Sequence, residues 1–143
     1  MAFHLRMATD QDRLFARTLT LEAMNRYYVQ YGLIWSAAGF DTAWAGRENW
    51  LICRDASVMG FISLSYDSTA LYIRELHMLE RARGQGAGSW VLEQMALKAR
   101  ANGLLRLTVF KTNPARRLYQ RMGLSIVGEE DCFWRMERPC HPS

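Results

Sequence analysis

The chain is poor in lysine, proline and cysteine, and it has no long apolar run. No stretch approaches the ~18 consecutive apolar residues of a membrane span, so no membrane role is expected. The opening segment MAFHLRMATDQDRLFAR lacks the continuous apolar core of a secretory signal. Three prolines in 143 residues leave no material for a Pro-rich linker, and a single domain over residues 1–143 is expected. Cys53, Cys132 and Cys140 are odd in number and form no CxxC pair. Neither a disulfide framework nor a zinc ribbon follows; no metal is expected, and a reducing cytoplasm is the fitting compartment.

Only Lys98 and Lys111 are lysines, so the net charge of +4 and the pI of about 9.2 come from arginine. The arginines run from Arg6 to Arg138 without a long block, which reads as a solvated surface and not as a nucleic-acid footprint. A phosphorylated small ligand is the second reading of that charge. With 50% hydrophobic and 12% aromatic residues the composition is that of a globular chain, not a disordered one.

Periodicity predicts strand, two helices, three strands, helix, strand, helix and two strands. Phe3–Ala8 alternates as a strand, and Asp10 is placed to cap a helix reaching about Tyr31, with Gly32 as its stop. Leu14, Phe15, Leu19, Leu21 and Met24 give that helix its buried stripe. Asp41 is placed to cap a short second helix. Asn49–Arg54, Val58–Tyr66 and Ala70–Leu79 form an antiparallel meander. A helix follows from about Gly86 to Asn102, then the strand Leu104–Phe110, apolar enough to be buried on both faces. Asn113 and Pro114 open a last helix closing at Gly123, before strands Leu124–Gly128 and Cys132–Glu137. The fold class is α+β. Ala70–Leu79, its helix and Leu104–Phe110 make one parallel β-α-β crossover.

Chemistry concentrates in Arg83-Gly84-Gln85-Gly86-Ala87-Gly88-Ser89, between a strand and a helix. Glycines at alternate positions let backbone approach a ligand and reach positive φ. The first helical turn adds unsatisfied N–H donors and the positive end of the macrodipole. Together they suit an anion such as a diphosphate, although a plain tight connection needs the same glycines. A dinucleotide fingerprint fails because Ser89 stands where its third glycine belongs, and no acid lies at Leu104–Arg106. A Walker A loop fails because no glycine–lysine pair exists.

Arg83-x-x-Gly86-x-Gly88 resembles the acetyl-CoA signature of the GNAT superfamily of N-acetyltransferases. About 25 residues on, Asn113-Pro-Ala-Arg-Arg-Leu-Tyr119-Gln-Arg-Met-Gly123-Leu resembles that family's second motif. The resemblance covers Asn49–Arg138 well and Phe3–Asp12 passably, a core of about 3–138. It implies the GNAT fold: a single mixed, mostly antiparallel sheet flanked by helices, with a splayed strand pair for CoA.

By this resemblance acetyl-CoA is the cosubstrate. Its pyrophosphate is implied to sit on the amides of Arg83, Gly84, Gln85, Gly86, Ala87, Gly88 and Ser89. Its pantetheine arm pairs with Leu76, His77 and Met78. The Met78 N–H polarises the thioester carbonyl. Asn113 matches a cofactor-contacting asparagine, and helix capping gives it an equal structural reason. Tyr119 matches the tyrosine that protonates the leaving thiolate, although the commonest Asn-to-Tyr spacing is one residue longer. For the general base, Glu75, a relay through His77, and a water chain all stand open. Some relatives carry their acid one residue earlier, where this chain has Arg74. The reaction implied is direct attack of a primary amine, of a small molecule or a peptide, in a ternary complex. The alternative is a non-catalytic GNAT-fold protein that binds CoA or a metabolite as a sensor. Tyr28, Tyr31, Trp35 and Trp44 are acceptor-pocket candidates, with plain core packing as the competing reading. The two C-terminal strands offer edges for a homodimer.

Overall fold

The computed structural model of the chain describes residues 2–141. Its strands are β1 (Phe3–Met7), β2 (Glu48–Arg54), β3 (Ser57–Tyr66), β4 (Leu71–Met78), β5 (Leu104–Phe110), β6 (Ser125–Glu130) and β7 (Phe133–Pro139). The α-helices are α1 (Arg13–Gln30), α2 (Ala37–Ala45), α3 (Ala87–Lys98) and α4 (Ala115–Arg121), with short 3-10 turns at Asp10–Asp12, Glu80–Ala82 and Ala99–Ala101. The seven strands form one sheet in the order β1-β2-β3-β4-β5-β7-β6. β4 and β5 are parallel, through Leu71–Leu105, Tyr72–Arg106 and Ile73–Leu107. The pairs β1–β2, β2–β3, β5–β7 and β6–β7 are antiparallel. A mixed, mostly antiparallel sheet flanked by helices, with α3 as the crossover, is therefore the architecture.

Internal contacts divide the chain into two compact units. One runs to Leu64 and resumes over Glu75–Ala87; the other comprises Ser65–Arg74 and the chain from Gly88 onward.

In the N-terminal unit, Ala16, Leu19, Phe40, Trp44, Leu51, Cys53 and Phe61 make the core. The buried stripe of α1 differs from the expected one. Ala16, Leu19, Thr20 and Tyr27 are buried, whereas Leu14 and Leu21 are 62% and 39% exposed. Positions 16, 19, 20 and 27 share one helix face, and Leu14 and Leu21 lie off it despite their apolarity. Both expected caps also move by a few residues. Thr9 precedes the first turn, its N–H donating to Asp12 Oδ2 at 2.9 Å. Ser36 caps α2, its Oγ accepting from the Gly39 N–H at 3.0 Å. Asp41 lies within α2 and binds Arg17 at 2.8 Å and Arg13 at 3.5 Å, tying α2 to α1. Asp55, at φ 52°, forms the β2–β3 turn.

The C-terminal unit buries Leu71 and Ile73 on β4, Val91, Leu92, Met95 and Ala99 on the α3 segment, and Leu105, Leu107 and Val109 on β5. β5 is not buried on both faces along its length: Thr108 is exposed and Arg106 half-buried, the latter ion-paired to Glu137 at 2.5 Å. The arginine needs only a neighbouring carboxylate to occupy that face. At the head of β4, Asp67 Oδ1 accepts from the Thr69 N–H at 2.8 Å, the Thr69 hydroxyl at 2.9 Å and the Ala70 N–H at 2.8 Å. These bonds, the Thr69 N–H first, hold its carboxyl below the usual aspartate value. A lowered folded value contributes stability above the unfolded pKa, and that contribution disappears as pH falls through the folded value. Asp67→Ala should therefore flatten the acid limb of stability below about pH 4, leaving the curve's shape unchanged near neutrality; pH-dependent thermal melts check this.

Candidate functional site

β3 and β4 meet closely at Gly60. A Cβ there would lie 2.2 Å from the His77 carbonyl oxygen and 2.9 Å from Met78 Cα, so only glycine lets β3 approach this end of β4. Beyond it, the Leu79 N–H donates to the Met59 carbonyl at 2.7 Å, and Met59, Ala82 and Ala87 pack together with Phe3, Met78 and Leu79. This small cluster anchors both ends of the glycine-rich turn. Between them Gly84 and Gly86 take φ of 75° and 83°, with nothing within 4 Å of a Cβ at either. Arg83, Gly84, Gln85 and Gly86 are exposed, whereas Ala87 is buried. The turn so presents open backbone where α3 begins.

Three arginines stand around this turn. Arg54, the last residue of β2, donates to Gln85 Oε1, and its guanidinium lies 5.9 Å from the Phe3 ring centroid. Gln85 Nε2 donates to the Arg81 carbonyl at 3.2 Å, and Arg81 reaches the Val58 carbonyl at 3.4 Å. Arg83 lines a cleft of about 280 Å³ with Leu79, Glu80 and the α1 residues Leu19, Glu22, Ala23 and Arg26.

Earlier on β4, His77 is buried, its Nε2 lying 2.8 Å from Glu75 Oε1. The other carboxylate oxygen of Glu75 is 4.0 Å from Arg47 Nη1. Being two residues apart, Glu75 and His77 share one strand face. The His77 ring lies 5.7 Å from Phe61, which packs 6.4 Å from Phe40 and 6.2 Å from Trp44. Asn49 organises the approach to Arg47: its Nδ2 donates to the Trp44 carbonyl at 3.0 Å and the Arg47 carbonyl at 3.4 Å, and its Oδ1 accepts from Ser63 Oγ at 2.7 Å. The one-residue offset between positions 74 and 75 decides the strand face. Glu75 is a half-buried acid beside His77, whereas Arg74 is exposed, bonded to Ser65 Oγ at 2.8 Å and stacked on Tyr72 at 3.6 Å. Leu76 and Met78 are half-buried.

In the C-terminal unit, Gly88 has a packing role: a Cβ would meet Leu118 Cδ2 of α4 at 3.0 Å. Ser89 is half-buried in the first turn of α3. Asn113 Oδ1 accepts from the Ala115 N–H at 2.9 Å, the capping role expected of it. Tyr119 is half-buried on α4.

Of the acceptor-pocket candidates, Trp44 is buried in the core and Trp35 is half-buried against Phe40, with ring centroids 6.1 Å apart. Tyr28 and Tyr31 are half-buried. Sequence reasoning missed Gly60, Arg47, Asn49 and Arg54. The one available signal was the glycine interrupting β3.

Among the described residues, no helix is long and apolar enough to cross a membrane. No group of three or more His, Cys, Asp or Glu among them has the arrangement to hold a metal. The family model described as Acetyltransferase (GNAT) family matches residues 17–124. No curated protein sequence matches. Among solved structures, Ard1 from Thermoplasma volcanium superposes with TM-score 0.78 at 19% identity, over 99% of this chain and 100% of that one. An acetyltransferase from Thermus thermophilus does so at 0.78 and 18%, over 97% of each chain. The PaiA N-acetyltransferase from Thermoplasma acidophilum, in complex with coenzyme A, gives 0.72 at 15%, over 97% and 99%. At these identities the likeness is one of fold.

Proposed function

The chain belongs to the GNAT family of acetyltransferases, and on that premise we propose that it transfers the acetyl group of acetyl-CoA to a primary amine of a small molecule or peptide, within one domain of about residues 3–138. The observation that carries the reading is the turn at Gly84–Gly86, two left-handed glycines with open space beside them where α3 begins. Exposed amides there suit a diphosphate, because an unsatisfied N–H group gains most from an anionic acceptor.

The cosubstrate supplies the activated acetyl thioester, and this chain's residues bind, orient and move protons. The backbone of Leu76–Met78 offers strand hydrogen bonds to an extended amide-bearing arm. The parallel β4–β5 ladder ends at Ile73 and Leu107, before that part of β4, which supports a strand end available to a ligand. The Met78 N–H is assigned to the thioester carbonyl oxygen, where negative charge develops. Glu75 is assigned as the base. An amine of pKa ~10 is deprotonated at neutral pH only at a cost of about 4 kcal/mol if it must lose its proton before reacting, and the Glu75 carboxylate beside His77 offers an acceptor for the proton that the nitrogen sheds as it attacks. Tyr119 is assigned as the donor to the departing sulfur, the role for which a phenol O–H is suited. The acceptor slot is assigned to the aromatic N-terminal region, with Tyr28, Tyr31 and Trp35 as wall residues; Trp44 acts from behind, as packing.

An amine-acceptor screen read by free CoA thiol tests the activity. Acceptor-dependent thiol release is expected, and tight acetyl-CoA binding with no release across the panel points to the sensor alternative. Gly86→Glu places a side chain at φ 83° and a carboxylate where the anion sits. It should weaken acetyl-CoA binding by roughly tenfold or more in calorimetry; unchanged affinity would remove the turn from the site.

A further inference from the structure

We infer that Arg54 recognises the 3′-phosphate on the ribose of CoA, and so sets a preference for CoA over its 3′-dephospho form. The inference rests on the acetyl-CoA reading above and adds a residue from β2, outside both sequence motifs. Arg54, Arg81 and Arg83 surround one exposed turn, and none of them is ion-paired to a carboxylate among the described residues. Several arginines elsewhere are matched, Arg13 and Arg17 by Asp41, Arg106 by Glu137, Arg135 by Glu130 and Arg138 by Glu93, and those without a carboxylate, such as Arg26 and Arg74, do not gather around one turn of open backbone. Positive charge left unmatched at a turn of open amides is complementary to more than one phosphate.

The two kinds of cofactor phosphate suit different partners. The diphosphate lies within a chain and is served by backbone N–H groups and the α3 dipole. A terminal phosphomonoester carries about −1.5 to −2 charge at pH 7 and three free oxygens, which a planar guanidinium meets with two parallel bonds. Arg54 has the geometry for that task. Its guanidinium is held between the Phe3 ring and Gln85 Oε1, at the rim of the turn, and its partner Gln85 is itself tied to the Arg81 carbonyl. Gln85 offers a neutral acceptor. Exchanging it for a phosphate dianion replaces a neutral acceptor by a charged one, with bonds roughly twice as strong. The guanidinium is therefore positioned before the ligand arrives, and little side-chain freedom remains to be lost.

Calorimetric titration of CoA and 3′-dephospho-CoA into the intact chain, its Arg54→Ala and Arg54→Gln variants, and Arg54→Lys separates the outcomes. The unsubstituted protein should prefer CoA by about tenfold, less at high salt. Arg54→Ala and Arg54→Gln should bring the ratio close to one by weakening CoA alone, while Arg54→Lys keeps part of it. A preference that survives in Arg54→Gln, or an equal loss for both ligands, overturns the assignment. A protein that binds dephospho-CoA as tightly as CoA before any substitution does so as well. If neither ligand binds the unsubstituted protein, the acetyl-CoA reading itself falls.

Discussion

Tyr119→Phe is expected to lower kcat about a hundredfold or more, with the KM for acetyl-CoA within about twofold. The substitution removes one oxygen from a half-buried side chain on α4 and leaves the ring that packs there. Thermal melts of the variant alongside the kinetics separate a loss of chemistry from unfolding. A thiolate leaving without a proton donor must be protonated by solvent, and the barrier rises in the transition state only. Steady-state kinetics at saturating acceptor read the effect. Near-normal kcat in the variant would return protonation of the sulfur to water.

Gly60→Ala is expected to be the most damaging single methyl in the N-terminal unit. Its Cβ would sit 2.2 Å from the His77 carbonyl oxygen, and 2.9 Å from Met78 Cα. Both obstacles are backbone, so no rotamer change relieves them. The cost should reach about 3 kcal/mol, the upper part of the range for overpacking, which lowers Tm by roughly 10 °C in a chain of this size. Whatever relief occurs must move His77 and Met78, so cofactor binding should fall with stability. Gly39→Ala is the contrast. Its Cβ would meet only Ser36 atoms at 3.5 Å, inside α2, and helix propensity predicts a gain of about 0.5–1 kcal/mol. Thermal melts of the two variants side by side check both signs.

The contrast between these glycines shows what was legible beforehand. Gly84 and Gly86 were readable because a strand-to-helix turn demands positive φ, a local requirement carried by local residues. Gly60 was not, because its reason is a carbonyl 17 residues away on another strand. Asn113 and Pro114 announced α4 through capping chemistry within three residues. The buried stripe of α1 departs from the apolar pattern because Leu14 and Leu21 are apolar but lie off the face that Ala16, Leu19 and Tyr27 share. Hydrophobicity alone does not say which face meets the core.

The amino-acid sequence by itself determined the order of elements, the glycine-rich turn and the two motifs that place the chain in its family, since caps, turns and periodicity act within a few residues. Only the tertiary structure decided that Glu75 lies against His77 and Arg47, that Trp44 is core, and that Arg54 reaches Gln85. These contacts join residues on separate elements or depend on which strand face is buried. Their partners are set by sheet register and packing, which local spacing does not encode.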